Sequence, residues 1–247
     1  GNVQYGELMD FCYVWLRRLV GAVSEGFDRE NTRSPGELTG NQAQARGLHQ
    51  FTDGLSAAYR IAARALKPGA PLAFTFHHNR LDAYHAVGVA ILDAGLVCSA
   101  SFPCPAEMGG SIHIHGTGSS IVDTVFVCRS QGRVTRKLIF DSAAELIELV
   151  NSDLDKLRMA GMKPTAGDMR CIVYGHLARM GVWKLRASWT ADAPTRERLA
   201  RFADTLVAFG DPRVIIDTLA RAPRLTATCV AELNPLYKQE DRDAVSF

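Results

Sequence analysis

The chain holds 247 residues, 47% of them apolar and 22% charged, with a formal net charge of +2. Such a chain can bury a core without disulfides or structural metal, as one large or two small domains, which excludes collagen-like, coiled-coil or wholly disordered readings. Residues 1–140 carry 13 Lys and Arg against 11 Asp and Glu, and residues 141–247 carry 15 against 15, so neither part has the basic bias of an electrostatically driven nucleic-acid binder.

Residue 1 is Gly, and Asn2 to Phe11 already read as the interior of a domain, with no signal or transit pattern. The expectation is a chain that begins partway through a protein. Residues 7–20 place Leu8, Phe11, Cys12, Trp15, Leu16 and Leu19 at three- and four-residue spacings, which predicts an amphipathic helix. Arg17 and Arg18 suit the negative pole at its end. Phe11, Trp15, Phe51 and Tyr59 are expected in the core, as are Trp183 and Trp189 in the tail. Residues 21–41 form a long loop with turn signals at Ser34-Pro35-Gly36 and Thr39-Gly40-Asn41.

A second helix is expected over 42–66, with Leu48, Phe51, Leu55, Tyr59, Ala62 and Leu66 on one stripe, stopped by Lys67-Pro68-Gly69. Pro71–Phe76 reads as a strand buried on both faces, ended by the polar cluster His77-His78-Asn79-Arg80. A helix over 81–94 closes at Gly95, a strand follows over 96–102, and after a loop over 103–120 comes a strand at 121–128. From about 141 the pattern is helical, with helices at 143–157, 169–180, 195–209 and 214–222 and a charged tail at 237–247. The division expected is an α/β unit over 1–140 and a helical region over 141–247. Three strands are fewer than the five or more of a doubly wound sheet, so the sheet is expected to be incomplete.

Six cysteines are scattered with no C-x-x-C pair, mostly inside apolar runs such as Val125-Phe126-Val127-Cys128, which points to reduced thiols and a cytoplasmic location. No window reaches the roughly 18 apolar residues of a membrane span.

The opening Gly-Asn-Val-Gln-Tyr-Gly-Glu-Leu-Met-Asp-Phe-Cys-Tyr-Val-Trp-Leu-Arg-Arg-Leu, Ala65-Leu66-Lys67-Pro68-Gly69, Phe74-Thr75-Phe76-His77-His78, Ala94-Gly95, Glu107-Met108 and Asp123-Thr124-Val125-Phe126-Val127-Cys128-Arg129 occur in a fixed order. Gly167-Asp168-Met169-Arg170 and Gly175-His176-Leu177 extend the series. This ordered set resembles a family of large bacterial and archaeal adenine-specific DNA methylases over roughly residues 1–210. The resemblance implies the later strands of a Rossmann-like methyltransferase sheet. It also implies transfer of a methyl group from S-adenosylmethionine to the exocyclic amine of a flipped-out adenine. In such enzymes a D-P-P-Y tetrapeptide orients the amine, and the work is positioning and electrostatics.

This chain contains no D-P-P-Y, S-P-P-Y or N-P-P-Y and no Gly-rich strand-to-helix turn. The resemblance places both upstream of Gly1, so no catalytic or main cofactor residue carries over. DNA and the N-terminal half of the same enzyme, or a partner subunit, are the partners implied. Asn2 and Tyr5 would lie just past the tetrapeptide, at the mouth of the pocket. His77 and His78 lie where a parallel strand is expected to end, the edge at which open α/β sheets bind ligands. Adjacent side chains on an extended chain point oppositely, so at most one of the two faces the site, and structural or capping roles for both stay open. Glu107, Met108 and Ser111 are candidates for a pocket wall, and Arg17, Arg18, Arg33 and Arg80 for DNA phosphates. His113 and His115 lack a third ligand nearby, so no metal is expected. The rival reading is a non-catalytic split or degenerate methyltransferase module that binds a partner subunit or DNA. A third has RNA or another amine as the substrate.

Overall fold

The structure is a computed structural model, and it describes residues 5–34, 36–39, 46–106, 120–130 and 142–221. The elements run α1 (Tyr5–Val20), α2 (Leu48–Ala65), β1 (Pro71–Phe76), α3 (Leu81–Asp93), β2 (Val97–Pro105), β3 (Val122–Arg129), α4 (Ala143–Met159), α5 (Ala166–Leu185), α6 (Thr195–Val207) and α7 (Pro212–Arg221). The described part is therefore mixed α/β. Asn2, Glu107, Met108, Ser111, His113, His115 and Cys229 lie outside the described residues, as does the tail over 237–247.

The three strands form one sheet in the order β1-β3-β2. β3 runs antiparallel to both neighbours, pairing Phe74 with Phe126 on one side and Ser101 with Phe126 on the other. β1 and β2 are thus parallel to each other but do not touch, and no adjacent parallel pair occurs among the described strands. The described sheet is antiparallel throughout, so the strand expected to run parallel to its neighbour and end at His77 has only an antiparallel neighbour among the described residues. Gly95 (φ +68°) takes the left-handed turn that ends α3, as its sequence signal predicts, whereas α2 ends earlier, at an extended Leu66, and Gly69 (φ +76°) shapes the separate Lys67–Ala70 turn that leads into β1.

One face of the sheet is buried. Leu72, Phe74 and Phe76 of β1 lie beside Cys128, Phe126 and Thr124 of β3, and Phe74 packs on Tyr59 of α2 while Phe76 meets Tyr84 of α3 edge-on. α3 is apolar almost all round, with residues 86–93 buried without a break, because it lies between α2, α5 and α6 near the sheet. A single cluster of buried apolar side chains runs from Tyr84 to Leu219 and includes Val87, Phe126, Leu146, Leu177 and Phe202.

The expectation that β1 is buried on both faces is overturned. Its exposure alternates, with Pro71, Ala73 and Thr75 exposed and Leu72, Phe74 and Phe76 half-buried. The physical reason is that helices pack on one face only, and β1 is an edge strand. The second face carries Ala73, Thr75, Val125, Val127, Ala100 and Phe102, and Phe102 is exposed. α2 begins at Leu48 rather than 42, since Arg46 and Gly47 are already extended. Phe11 and Trp15 are exposed, not core, because α1 turns its polar side inward. Trp183 is buried and donates its indole N–H to the Cys98 carbonyl, and Trp189 is half-buried against Asp93. No described helix is long and apolar enough to cross a membrane.

Candidate functional site

His77 follows β1 directly, at the strand's C-terminal end. Its Nδ1 lies 3.1 Å from the Val122 carbonyl at the start of β3. A carbonyl can only accept, so Nδ1 carries the proton and donates. The neutral ring then keeps its lone pair on Nε2, and the side chain is 28% exposed. Around Nδ1 stand Cys171 Sγ of α5 at 4.0 Å and Asp123 Oδ1 at 3.8 Å. The Cys171 sulfur and the Val122 carbonyl outweigh partial burial, and with the Asp123 carboxylate they hold the His77 pKa above its ordinary value.

Cys171 is itself locked in place. Its thiol reaches the Val122 carbonyl at 3.2 Å and the Tyr84 hydroxyl at 3.2 Å, and Thr124 Oγ1 donates to the Cys171 carbonyl at 3.2 Å. Burial beside this thiol pushes the Tyr84 phenol well up. α5 comes this close to the sheet because Gly175 has no side chain: a Cβ there would lie 2.5 Å from Thr124 Cγ2.

His78 has a different role. Its Nδ1 accepts the Arg80 backbone N–H at 3.0 Å, and its ring stacks on Phe76. Burial lowers its pKa. Of the two adjacent imidazoles, His77 faces the β3 start and His78 closes the turn into α3.

The described residues on either side of 107–119 meet beside His77. Ala106 N donates to the Ile121 carbonyl at 2.9 Å. Asp168, fully buried in the first turn of α5, accepts from Ser120 Oγ at 2.7 Å and Ile121 N at 2.8 Å. It also accepts Thr165 N at 2.6 Å within a capping box that starts α5. The Ser120 hydroxyl donates to Asp168, and Ser120 Oγ in turn accepts Val122 N at 3.0 Å. The end at Ser120 and Ile121 that follows the sequence-predicted pocket wall is therefore pinned to α5, and the Ala106 end is held to Ile121. Asp168, Cys171 and Tyr84 were not among the candidates from sequence. Thr165-x-x-Asp168 was a local capping signal that points to the first of them.

Tyr5 is exposed at the start of α1. Arg17 lies 3.4 Å from the Asp28 carbonyl, Arg18 is exposed, Arg33 pairs with Asp10 at 3.0 Å, and Arg80 pairs with Asp82. Such exposed pairs hold little energy, and a phosphate can displace them. The structure does not gather these four arginines around His77 through any shared partner.

A second polar constellation is buried. Ser101 Oγ lies 2.9 Å from His176 Nδ1, and His176 Nε2 lies 2.8 Å from Asp153 Oδ2, joining β2, α5 and α4. Burial works to raise the Asp153 carboxyl pKa, but the His176 ring and the Lys156 ammonium outweigh it and hold it low. The residue types are those of a nucleophilic triad, but all three side chains are sealed in the core, so they act as a polar tie.

No group of three His, Cys, Asp or Glu suited to a metal occurs among the described residues. Cys12, Cys98, Cys104, Cys128 and Cys171 are free thiols. The chain matches no protein-family model, no curated protein and no solved structure.

Proposed function

We propose that this chain forms part of an S-adenosylmethionine-dependent DNA adenine-N6 methyltransferase and supplies the later strands of its Rossmann-like sheet. The observation that carries this reading is the edge at β1. Its outer side is unpaired among the described residues, one sheet face is open, and His77 stands at the strand end where α/β folds bind ligands. A further strand on that edge, carrying the acidic tetrapeptide at its own C-terminal end, would set the tetrapeptide beside His77. The ordered motifs from Tyr5 to His176 support the same reading.

Within it, this chain positions a flipped base and does not carry the reaction alone. His77 offers Nε2 toward the ligand side, with the Val122 carbonyl fixing the ring. Asp168 holds one end of the segment that includes Glu107 and Ser111. Arg17, Arg18, Arg33 and Arg80 remain the candidates for DNA phosphates, and Asn2 and Tyr5 for the mouth of the pocket. The described residues do not fit S-adenosylmethionine. Their left-handed glycines lie at helix ends and turns, and the β1-to-α3 turn has no glycine. The reading therefore assigns the cofactor loop and D-P-P-Y to a preceding segment or a partner subunit, and no step through the cofactor is assigned to this chain. Free thiols throughout the described residues fit a reducing, cytoplasmic setting.

Tritium transfer from S-adenosylmethionine to plasmid DNA tests the proposal. The expected result is no transfer by this chain alone and transfer when a polypeptide bearing D-P-P-Y from the adjoining reading frame is added. Robust methylation by the isolated chain, or none in the reconstituted pair, overturns it.

A further inference from the structure

The two sides of α1 are used in opposite ways. Gly6, Asp10, Tyr13 and Arg17 recur at spacings of four, three and four, which is one face of a helix. That face docks on the following loop. Gly6 N donates to Glu37 Oε1 at 3.0 Å, Asp10 Oδ1 accepts Thr32 N at 2.7 Å, and Tyr13 Oη donates to the Arg29 carbonyl at 2.9 Å. The Tyr13 ring also stacks on Phe27. The opposite face carries Tyr5, Leu8, Cys12, Trp15 and Leu19, at spacings of three, four, three and four. Leu8 and Trp15 are each 61% exposed and Leu19 is 77% exposed, while Phe11 beside them is 77% exposed.

An alternating three-four apolar repeat is the seam along which two helices pack. Large apolar patches on a folded surface mark interaction sites. Tyr5, Leu8, Met9, Phe11, Trp15, Leu16 and Leu19 are each 43–77% exposed, and together they offer an area on the order of the 800 Å² that each partner gives to a standard interface.

The charges at the rim select the partner. Glu7 lies in the first turn and Arg17 and Arg18 in the last. A parallel pair would set the two arginine ends together and repel. An antiparallel pair about a two-fold axis near the helix centre layers Leu8 on Leu19 of the second copy and Cys12 on Trp15. It also brings Arg18 of the second copy between Phe11 and Glu7, where it meets a ring face and a carboxylate. The surface is complementary to itself. We propose that α1 is a self-association face and that the chain forms an isologous dimer through an antiparallel α1–α1 contact. The inference does not rest on the methyltransferase reading.

Light scattering coupled to gel filtration of the full chain at micromolar concentration tests it. The expected mass is twice 27.0 kDa. Trp15→Asp and Leu8→Asp should each weaken the dimer at least tenfold, and their far-ultraviolet circular dichroism should stay that of the parent because both positions are exposed. Glu7→Arg should weaken it and Glu7→Arg with Arg18→Glu should restore it, a recovery that no unrelated occupant of the face would produce. A short bismaleimide should couple two copies through Cys12 and fail with Cys12→Ser. A mass of 27.0 kDa at every concentration, a dimer indifferent to Trp15→Asp and Leu8→Asp, or a charge swap that does not recover overturns the proposal.

Discussion

The Phe202 ring occupies the space that a side chain at Gly88 would take: a Cβ there would lie 2.5 Å from Cε2 and 2.8 Å from Cε1. Gly181 of α5 forms the other wall of the slot, with its own Cβ position 2.6 Å from Phe202 Cζ. Neither glycine has a left-handed φ, so the requirement is size alone. α6 is keyed into the groove between α3 and α5 by one aromatic ring.

Gly88→Ala and Gly181→Ala should therefore each destabilise the chain. Alanine favours a helix by about 1 kcal/mol over glycine, but overpacking a sealed core costs about 1–3 kcal/mol. The net loss is expected as a lower urea midpoint with an unchanged slope. Phe202→Ala should cost more, about 3–5 kcal/mol, and in that background Gly88→Ala should cost nothing further. A full penalty for Gly88→Ala without the ring would show that Phe202 is not what the glycine accommodates.

Asp168 should behave as a keystone for the ends around residues 107–119. It is fully buried and accepts bonds from Thr165, Ser120 and Ile121. Asp168→Ala leaves those donors without an acceptor, at about 1–3 kcal/mol for each group that water cannot reach. A loss of about 3 kcal/mol in urea unfolding is expected. Amide exchange at Ile121 should rise far more than at Phe126 in the middle of β3. Equal acceleration at both positions would mean that the carboxylate stabilises the sheet as a whole and pins nothing locally.

The two adjacent histidines should titrate apart. The Cys171 sulfur and Val122 carbonyl beside His77 raise its pKa, and burial lowers that of His78. Nuclear magnetic resonance titration should find His77 above the ordinary 6.5 and His78 below it, with His77 as the Nδ1–H tautomer when neutral. Because the folded-state value of His77 is raised, its protonated form adds stability that is complete below pH 6.5 and is lost as the pH rises through the folded value. Cys171→Ala should bring His77 back toward the ordinary value and leave His78 where it is. A common pKa for the two rings would contradict the geometry.

How much of this was legible depended on the reach of each interaction. The end of α3 at Gly95 and the turn at Gly69 that leads into β1 were readable because a left-handed turn is a property of the residue itself. β3 was readable as a strand from its own apolar run, but the alternation of its burial shows only in the packing. The stripe of α1 showed in the spacing, but which face is covered depends on what lies opposite. There the Gly6 and Asp10 face met Thr32 and Glu37, and Phe11 and Trp15 were left outside. β1 had a run of apolar residues that fits burial on two faces, and only the packing reveals that helices cover one. Of the site, the rule that adjacent side chains diverge separated His77 from His78 in advance. Cys171 and Asp168 come to it from α5, 94 residues from His77 and 47 from Ile121, and no local pattern signals such contacts.

The buried tie between Ser101, His176 and Asp153 yields an acid-dependent prediction. The His176 ring and Lys156 hold the Asp153 carboxyl below its ordinary 3.8 despite burial. A depressed folded-state pKa contributes stability that is present above pH 3.8 and is lost as the pH falls through the folded value. Asp153→Asn keeps an acceptor for His176 Nε2 but removes that charge, so the variant should be less stable than the parent near neutrality, by about 1–3 kcal/mol. The gap should narrow as the solution is acidified below pH 3.8, because the parent then loses the same charge. Ser101→Ala removes only a neutral hydroxyl from the other side of the ring and should cost about 1 kcal/mol at every pH. Parallel urea melts across this range read both effects. A gap between parent and Asp153→Asn that stays constant into acid would mean that the carboxyl is already neutral in the fold. The tie would then be a chain of neutral hydrogen bonds and not an ion-supported one.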